Sequence, residues 1–201
     1  MILRSSQLTF DIEAVLRQHD PACARHRYFA ELMKENERLN LVSRETSPRD
    51  LDRLMAESLL PLAVLSSPVQ RYLDIGSGGG FPAVPFLMCG VVGPQAVLVE
   101  RTQKKAAALR RIMLALDLKA HIMASSFEQT DFADRFDLVT VRLVRLTPAL
   151  LARIRTVLSS GGRLVYYATP KFECDDDLVQ TFTYSAGNAH TVKSFTVFSK
   201  A

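Results

Sequence analysis

A glycine-rich segment, Asp74-Ile75-Gly76-Ser77-Gly78-Gly79-Gly80-Phe81-Pro82, carries the clearest chemical signal in the chain. It follows a short apolar run, Arg71–Ile75, and precedes Phe81–Cys89, which can form a helix because proline is tolerated in a first turn. Glycines between a strand and a helix let the backbone turn tightly and approach a ligand closely. By itself the loop is also compatible with a dinucleotide fingerprint or with a plain turn.

Two acidic residues narrow the choice of ligand. The spacing Gly-x-Gly-Gly-Gly differs from the Gly-x-Gly-x-x-Gly of dinucleotide sites, and Asp74 precedes the loop at a point where it repels a pyrophosphate. A carboxylate there favours a cationic ligand without phosphate, such as the aminoacyl end of S-adenosylmethionine. Glu100 ends the next predicted strand, where it can accept hydrogen bonds from both hydroxyls of a ribose. A turn-capping Asp74 and a solvated Glu100 are the purely structural alternatives.

Further candidate residues follow the next two predicted strands. Ser126, Phe127 and Glu128 come after the third strand, where contacts to adenine usually arise, although this signal is weak alone. Arg142 ends the fourth strand and can bind a phosphate or the O6 edge of guanine, or else pair with a surface carboxylate. Arg145 adds positive charge at the same place.

A parallel sheet would bring these residues together. We predict strands at 71–75, 96–100, 120–124, 136–141 and 163–168, and helices at 81–89, from 102 to about 116, and at 147–158 with Ser160-Gly161-Gly162 as its end. This alternation predicts an α/β, Rossmann-like, mostly parallel sheet whose ligands bind at the carboxyl ends of the strands. The tail, Gln180–Ser185 and Thr191–Ser199, predicts a terminal antiparallel hairpin.

The sequence pattern of the first 65 or so residues predicts helices. Asp20-Pro21 and Ser47-Pro48 each combine a capping residue with a proline at the first helical position, and Pro61 ends the second of these helices. We therefore predict a helical N-terminal cap at 1–66 in front of a ligand-binding domain at 67–201.

Composition bounds the class of protein. The chain has 201 residues, of which 48% are hydrophobic and 23% charged, and this suits one α/β domain with an appendage. No apolar run approaches the roughly 20 residues that cross a bilayer, so we expect a cytoplasmic protein without a membrane partner. The three cysteines and four histidines lack ligand spacing, which predicts neither a disulfide framework nor a metal site.

The basic residues are compatible with RNA binding. A net charge of +4 permits such binding without requiring it. Five of these residues follow the second strand and can track phosphates or form a solvated helix face: Arg101, Lys104, Lys105, Arg110 and Arg111.

Several motifs together resemble one known family. Residues 74–85, Asp-Ile-Gly-Ser-Gly-Gly-Gly-Phe-Pro-Ala-Val-Pro, resemble the D-x-G-S-G-x-G-F-P-G-I-P signature of the RsmG or GidB family, the bacterial methyltransferases of a guanine N7 in 16S rRNA. Asn40-Leu41-Val42-Ser43 resembles that family's N-L-V/T-S element. Val99-Glu100 with Lys104-Lys105 and Leu109-Arg110 resembles its V-E-S-x-x-K-K-x-x-F-L-R stretch. Phe136–Arg142 resembles its F-D-x-V-x-S-R-A motif, so that the matches run in order over about residues 36–168.

The resemblance implies a class I methyltransferase that uses S-adenosylmethionine and acts on 16S rRNA or the small ribosomal subunit. It places Gly76, Gly78, Phe81, Glu100 and Glu128 at cofactor positions and Arg142 at the family's site arginine, which we take as catalytic. Our remaining cofactor candidates are Asp74, Ser77, Gly80, Arg101, Ser126, Phe127 and Arg142 itself. Our substrate candidates are Asn40, Ser43, Arg145 and Lys171, and we expect a monomer.

The chain departs from the family pattern where substrate is expected. Glu57 falls near the position of a histidine in the second N-terminal helix, and Val141 and Leu143 replace the serine and alanine that flank the arginine. Thr169-Pro170 replaces a Lys-Gly pair with Lys171 displaced, and the helix after it shortens to Asp175–Leu178. Two alternatives therefore stay open: a related methyltransferase with another RNA, protein or small-molecule substrate, and a non-catalytic RNA-binding relic of the fold.

Overall fold

The computed structural model describes residues 4–20, 22–65, 69–172, 179–185 and 191–200. The strands of this part are β1 Arg4–Leu8, β2 Val69–Ile75, β3 Val92–Val99, β4 His121–Met123, β5 Phe136–Val141, β6 Leu158–Tyr166, β7 Val179–Ser185 and β8 Val192–Ser199. The helices are α1 Ile12–His19, α2 Arg25–Asn36, α3 Pro48–Leu59, α4 Ala83–Met88, α5 Gln103–Ala115 and α6 Pro148–Val157. None of these helices is long and apolar enough to cross a membrane.

The strands form one sheet in the order β1-β7-β8-β6-β5-β2-β3-β4. Among the described strands β8 alone runs against its neighbours, and it pairs antiparallel with both β6 and β7. The order reverses at β2, because β3 and β4 follow on one side of it and β5 and β6 on the other. Such a switch point leaves a crevice at the carboxyl ends of the strands. The predicted α/β sheet with an antiparallel terminal pair is confirmed.

The sheet is buried on both faces. Successive residues of β2 point to opposite sides, so that Tyr72 joins one apolar cluster and Leu73 the other. The first cluster includes residues of α2 and α3, such as Leu32 and Met55, together with Leu109 of α5. The N-terminal helices therefore share a core with the sheet, and α6 covers the opposite face.

β1 lies outside the sequence prediction, which had helices alone before residue 67. Its residues pair in parallel with β7 at the edge of the sheet, from Arg4 opposite Gln180 to Leu8 opposite Tyr184. This strand has five residues with Ser-Ser-Gln at its centre, and these residue types give only a weak sequence signal for a strand. Its pairing partner comes from the other end of the chain, so local sequence does not predict it.

Helix boundaries differ from prediction at two places. α2 begins at Arg25 instead of after Asp20, although the Asp20 carboxylate still accepts hydrogen bonds from the backbone N–H groups of Ala24 (2.7 Å) and Arg25 (3.2 Å). α6 ends at Val157. We predicted that Gly161 ends this helix, but it lies inside β6 with φ +70°. Its N–H donates to the carbonyl of Lys200, so the glycine belongs to an irregular strand.

Other boundaries agree with prediction. Ser47 caps α3 with a complete capping box in which Ser47 and Asp50 bond each other's backbone N–H. α3 ends at Leu59, just before Pro61, as predicted. The predicted short helix Asp175–Leu178 and the link between β7 and β8 lie outside the described residues.

Candidate functional site

A cavity of about 1000 Å³ opens at the carboxyl ends of β2, β3 and β5. One wall, which we call the glycine-loop side, is formed by residues 75–79, 99–102 and 125–128. The other part of the wall, which we call the α3 side, is formed by residues 41–43, 45 and 46, by Asp50, Arg53 and Leu54 of α3, by residues 142–145 and by Lys193. The loops at the switch point of the sheet thus meet the N-terminal helices across one opening.

The glycine loop has a backbone that other residues adopt only under strain. Gly76, Gly78 and Gly80 have φ values of +77°, +51° and +102°. A Cβ at Gly76 would lie 2.5 Å from Cγ2 of Val144, and one at Gly80 would lie 2.6 Å from Cγ2 of Val84. Conformation and packing therefore both require glycine at these two positions.

The N-terminal helices hold the glycine loop in place. The Tyr28 hydroxyl, which is fully buried, donates a 2.9 Å hydrogen bond to the carbonyl of Gly79. Leu41 packs on the same glycine, with its carbonyl oxygen 3.3 Å from where a Cβ would stand. The Asn36 side chain accepts hydrogen bonds from the N–H groups of Leu41 (2.8 Å) and Val42 (3.1 Å). Sequence reasoning missed both Tyr28 and Asn36, because nothing in their spacing distinguishes them from ordinary helix residues.

Glu100 joins the end of β3 to the glycine loop. One carboxylate oxygen accepts a 3.0 Å hydrogen bond from the N–H of Gly78, and the other accepts a 2.8 Å bond from the N–H of Thr102. The side chain lines the cavity, and each oxygen keeps further acceptor capacity. The carboxylate is therefore held rigidly and can still receive hydroxyl donors.

Asp74 lies beneath the loop and not in the cavity wall. Its Oδ1 accepts a 2.6 Å hydrogen bond from the hydroxyl of Thr140, which itself contacts the hydroxyl of Tyr72 at 2.6 Å. Its Oδ2 is buried without a hydrogen-bond partner in the protein. Burial raises the pKa of Asp74 to about 6, against hydrogen bonds from Thr140 and Ser77 that lower it. An unpartnered buried oxygen is costly, so Asp74 favours positive charge on a ligand bound in the adjacent cavity.

Arg142 is fixed at the base of the α3 side. Its guanidinium pairs with Glu57 at 2.9 Å and donates to the Ser58 hydroxyl at 2.8 Å, and it lies 5.4 Å from the ring centre of Tyr167. Glu57 is 2% exposed and pairs through its other oxygen with Lys193 at 2.6 Å. Sequence reasoning noted Glu57 only as a departure and missed Lys193, because no sequence signal links α3, β5 and β8.

The remaining predicted residues divide between the wall and its surroundings. Those that line the cavity are Gly76, Ser77, Gly78, Phe81, Glu100, Arg101, Ser126, Phe127, Glu128, Arg142, Ser43 and Arg145. Asp74 and Gly80 support the loop from below, and Asn40 and Lys171 do not line the cavity. The Ser126 hydroxyl donates to Glu128, and this bond lowers the pKa of that carboxyl. Among the described residues no group of His, Cys, Asp and Glu side chains could hold a metal ion.

The strand order and the cavity define the class of protein. A sheet with one reversed strand beside β6, a glycine loop after β2 and an acid after β3 are the features of a class I methyltransferase fold. The solved O-methyltransferase from Bacillus cereus in complex with SAH superposes with a TM-score of 0.63, covering 95% of this chain and 100% of that chain at 14% identity. At this identity the likeness shows the fold alone.

The family model described as rRNA small subunit methyltransferase G (GidB) matches residues 24–196. The chain therefore belongs to the GidB family, and the resemblance read from its motifs is confirmed.

Curated relatives agree with this assignment. A protein of Rhodopseudomonas palustris strain BisB5, named Ribosomal RNA small subunit methyltransferase G, is 34% identical over 134 residues, which is 63% of this chain and 56% of the relative. Another of that name, from strain CGA009, is 32% identical over 163 residues, which is 78% of this chain and 71% of the relative. The chain spans 56%, 61% and 55% of the length of three such relatives.

Proposed function

We propose that this chain transfers a methyl group from S-adenosylmethionine to N7 of a guanine in 16S rRNA. The observation that carries the proposal is the glycine-loop side of the cavity, where the Glu100 carboxylate is bonded to the N–H of Gly78 above the buried Asp74. Membership of the GidB family supports the same activity.

The residues of the glycine-loop side fit S-adenosylmethionine. Glu100 presents acceptors to two ribose hydroxyls, and the loop has room beside Gly78, where a Cβ would meet no atom closer than 3.8 Å. The unpartnered Oδ2 of Asp74 favours the positive charge of the aminoacyl end. Ser126 and Phe127 line the part of the wall that would receive adenine. When bound, the cofactor supplies an electrophilic methyl group.

Methyl transfer to guanine N7 requires little acid–base catalysis by the protein. The nitrogen carries a lone pair and no proton, so no general base is needed, and the protein's task is to align the base. Positioning of this kind can lower a barrier by about 7–11 kcal/mol in favourable cases. Three contacts of Arg142, to Glu57, Ser58 and Leu54, leave others of its five N–H donors for an acceptor such as guanine O6 or a phosphate.

The charges of the wall support an RNA substrate. Six basic residues line the cavity: Arg53, Arg101, Lys105, Arg142, Arg145 and Lys193. Four acidic residues line it as well: Glu45 and Asp50 on the α3 side, against four basic residues there, and Glu100 and Glu128 on the glycine-loop side. Positive charge on the α3 side and around the opening attracts a phosphate backbone.

Further parts of the proposal concern the setting of the reaction. We propose that the protein acts in the cytoplasm as a monomer, without a metal ion, on 16S rRNA or the small ribosomal subunit. We also propose the division into a cap at 1–66 and a methyltransferase domain at 67–201, with β1 of the first segment paired to the sheet and Tyr28 and Leu41 in contact with Gly79. The roles assigned to Asn40, Ser43, Arg145 and Lys171 in substrate binding belong to the same proposal.

Borohydride–aniline cleavage of 16S rRNA tests the reaction, because it breaks the chain at N7-methylated guanines. We expect one cleavage product in the parent strain, its loss on deletion of the gene, and its return on complementation. An identical cleavage pattern in the parent and deletion strains would contradict the rRNA substrate.

A related methyltransferase with another substrate is the second candidate, and Leu143 at the opening favours it. The family carries alanine next to the arginine, whereas Leu143 is a large side chain that is almost fully exposed there. This candidate predicts cofactor binding and methyl transfer with an unmodified rRNA pattern. A non-catalytic RNA-binding relic instead predicts RNA binding without transfer.

A further inference from the structure

Leu143 combines three features that no other described residue shares. Its φ is +60°, a conformation that a branched side chain adopts only under strain. Its side chain is 98% exposed, and it lines the cavity at the opening. Strain and exposure together at a cavity are typical of a residue held for function and not for stability.

The residues on both sides of Leu143 explain its conformation. Arg142 is anchored to Glu57 and Ser58 of α3. Val144 packs on the glycine loop so closely that a Cβ at Gly76 would lie 2.5 Å from its Cγ2. With both neighbours fixed, the backbone between them is forced into the left-handed region, and the leucine side chain is directed into solvent at the opening.

Other described residues share at most two of these features, as Cys23 does, which is exposed with φ +55° but does not line the cavity. Asp117 also has a positive φ, but it follows α5, where helices commonly end in this conformation and where short polar side chains tolerate it. Leu114 is another large exposed apolar residue, but it lies on α5 and does not line the cavity. Isolated exposed leucines of that kind are normal on protein surfaces.

We propose that Leu143 is the apolar contact for the flat face of the nucleobase that receives the methyl group. This inference rests on the proposed function and adds a residue that sets substrate affinity. Enzymes that modify a base commonly take it out of its stack and hold its flat faces against aromatic or apolar side chains. Arg142, which precedes Leu143, and Arg145, which follows Val144, also line the cavity and supply donors for the edge of the base or for the adjacent phosphates.

Two variants distinguish the loss of the proposed contact of Leu143 with the base from the relief of its backbone strain. Leu143→Gly removes the side chain and also relieves the left-handed strain, so it should raise the melting temperature while it raises KM for unmodified 16S rRNA. Leu143→Ala removes the contact but keeps the strained backbone, so it should raise KM without the gain in melting temperature. For both variants we expect a KM increase of about tenfold, at the low end of the loss seen when a stacking side chain is removed.

Three controls make the outcome specific. Leu143→Met keeps an apolar contact and should keep KM near the parent value, and Leu114→Ala should leave both KM and melting temperature nearly unchanged. The affinity for S-adenosylmethionine, measured by calorimetry, should be the same in all variants, since the contact lies on the substrate. A misfolded protein would not show a higher melting temperature with a higher KM.

Each contrary result has a distinct meaning. If Leu143→Gly and Leu143→Ala methylate rRNA with the parent KM, the contact is refuted while the proposed function stands. If they lose cofactor affinity to the same extent as rRNA affinity, Leu143 supports the cofactor and the assignment to the base is wrong. If the parent itself binds cofactor but does not methylate rRNA, the proposed function fails and this inference fails with it.

Discussion

The two sides of the cavity are assembled by different kinds of interaction. The glycine-loop side is built from backbone conformations and from hydrogen bonds to backbone groups, such as the positive φ values of the glycines, the bonds from Gly78 and Thr102 to Glu100, and the bond from Tyr28 to Gly79. The α3 side is built from charged side chains that come from distant parts of the chain, with Glu57 between Arg142 and Lys193. The first kind leaves a motif in the sequence, whereas of the second kind Arg142 lies in a motif and its partners Glu57 and Lys193 do not.

This difference affects which positions of the protein tolerate substitution. The glycine loop tolerates few residues, because Gly76 and Gly80 are constrained by both conformation and packing. The α3 side depends on charge pairing and on an exposed leucine, and its link to the loop is the packing of Val144 on Gly76. The departures from the family pattern at Glu57 and Leu143 both lie on the α3 side, as expected if cofactor binding is kept while substrate contacts diverge.

The largest effect is expected when Glu57 is removed. Glu57→Ala leaves Arg142 buried without its anionic partner, and breaking a buried pair in this way costs about 3–5 kcal/mol. We expect loss of rRNA methylation and lower stability in chemical denaturation, with cofactor affinity affected least. Glu57→Gln keeps the shape and some hydrogen bonds and should recover part of the activity. Equal loss of cofactor and rRNA binding in Glu57→Gln would remove the distinction between the two sides.

Asp74→Asn tests whether the buried carboxylate of Asp74 serves cofactor binding at the expense of stability. Burial raises the pKa of Asp74 from 3.8 to about 6, so the folded protein binds this proton more tightly than the unfolded chain. The stabilising contribution is present below pH 4 and is lost as pH rises through about 6. At pH 7.5 Asp74→Asn should therefore raise the free energy of unfolding by on the order of 3 kcal/mol and weaken cofactor binding. Denaturation at pH 4 and pH 7.5 measures this, and a gain that does not grow with pH would contradict it.

Gly76→Ala and Gly90→Ala form a matched pair for the glycine loop. Both glycines have a positive φ, +77° and +63°, but a Cβ at Gly76 would strike Val144 whereas one at Gly90 meets nothing within 4 Å. Gly76→Ala should therefore be the less stable variant by about 1–3 kcal/mol, the usual cost of overpacking, and it should lose cofactor affinity. Thermal denaturation and calorimetry of the two variants give the comparison. Equal stability would mean that Val144 moves aside and that the loop is less rigid than described.

Tyr28→Phe gives the smallest expected effect. It removes the hydroxyl that donates to the carbonyl of Gly79 and leaves the ring in place. Loss of one buried hydrogen bond should cost about 1 kcal/mol of stability, and cofactor affinity should fall several-fold because the loop is less well held. Chemical denaturation with calorimetry would detect both changes. Unchanged cofactor affinity would show that α2 contributes to stability alone.

Sequence accounts for most of the fold, for the glycine loop and Glu100, and on the α3 side for Ser43, Arg142 and Arg145. The glycine loop, the alternation of strands and helices, and Glu100 at the end of its strand all follow from short-range patterns. β1 was not predicted, because its pairing with β7 joins opposite ends of the chain. Lys193 was missed for the same reason, since β8 is brought beside the cavity by sheet order alone. Asn36 and Tyr28 have the spacing of ordinary helix residues, and only the folded structure shows that they hold the loops beside the cavity.

Calorimetric titration with S-adenosylmethionine tests the central claim most directly. We expect the parent protein and Glu13→Ala, an exposed acid outside the cavity, to bind one cofactor with similar affinity, and Glu100→Ala to lose measurable binding because both the ribose acceptor and the bond to Gly78 are gone. Absence of binding by the parent, or equal binding by Glu100→Ala, would contradict the account.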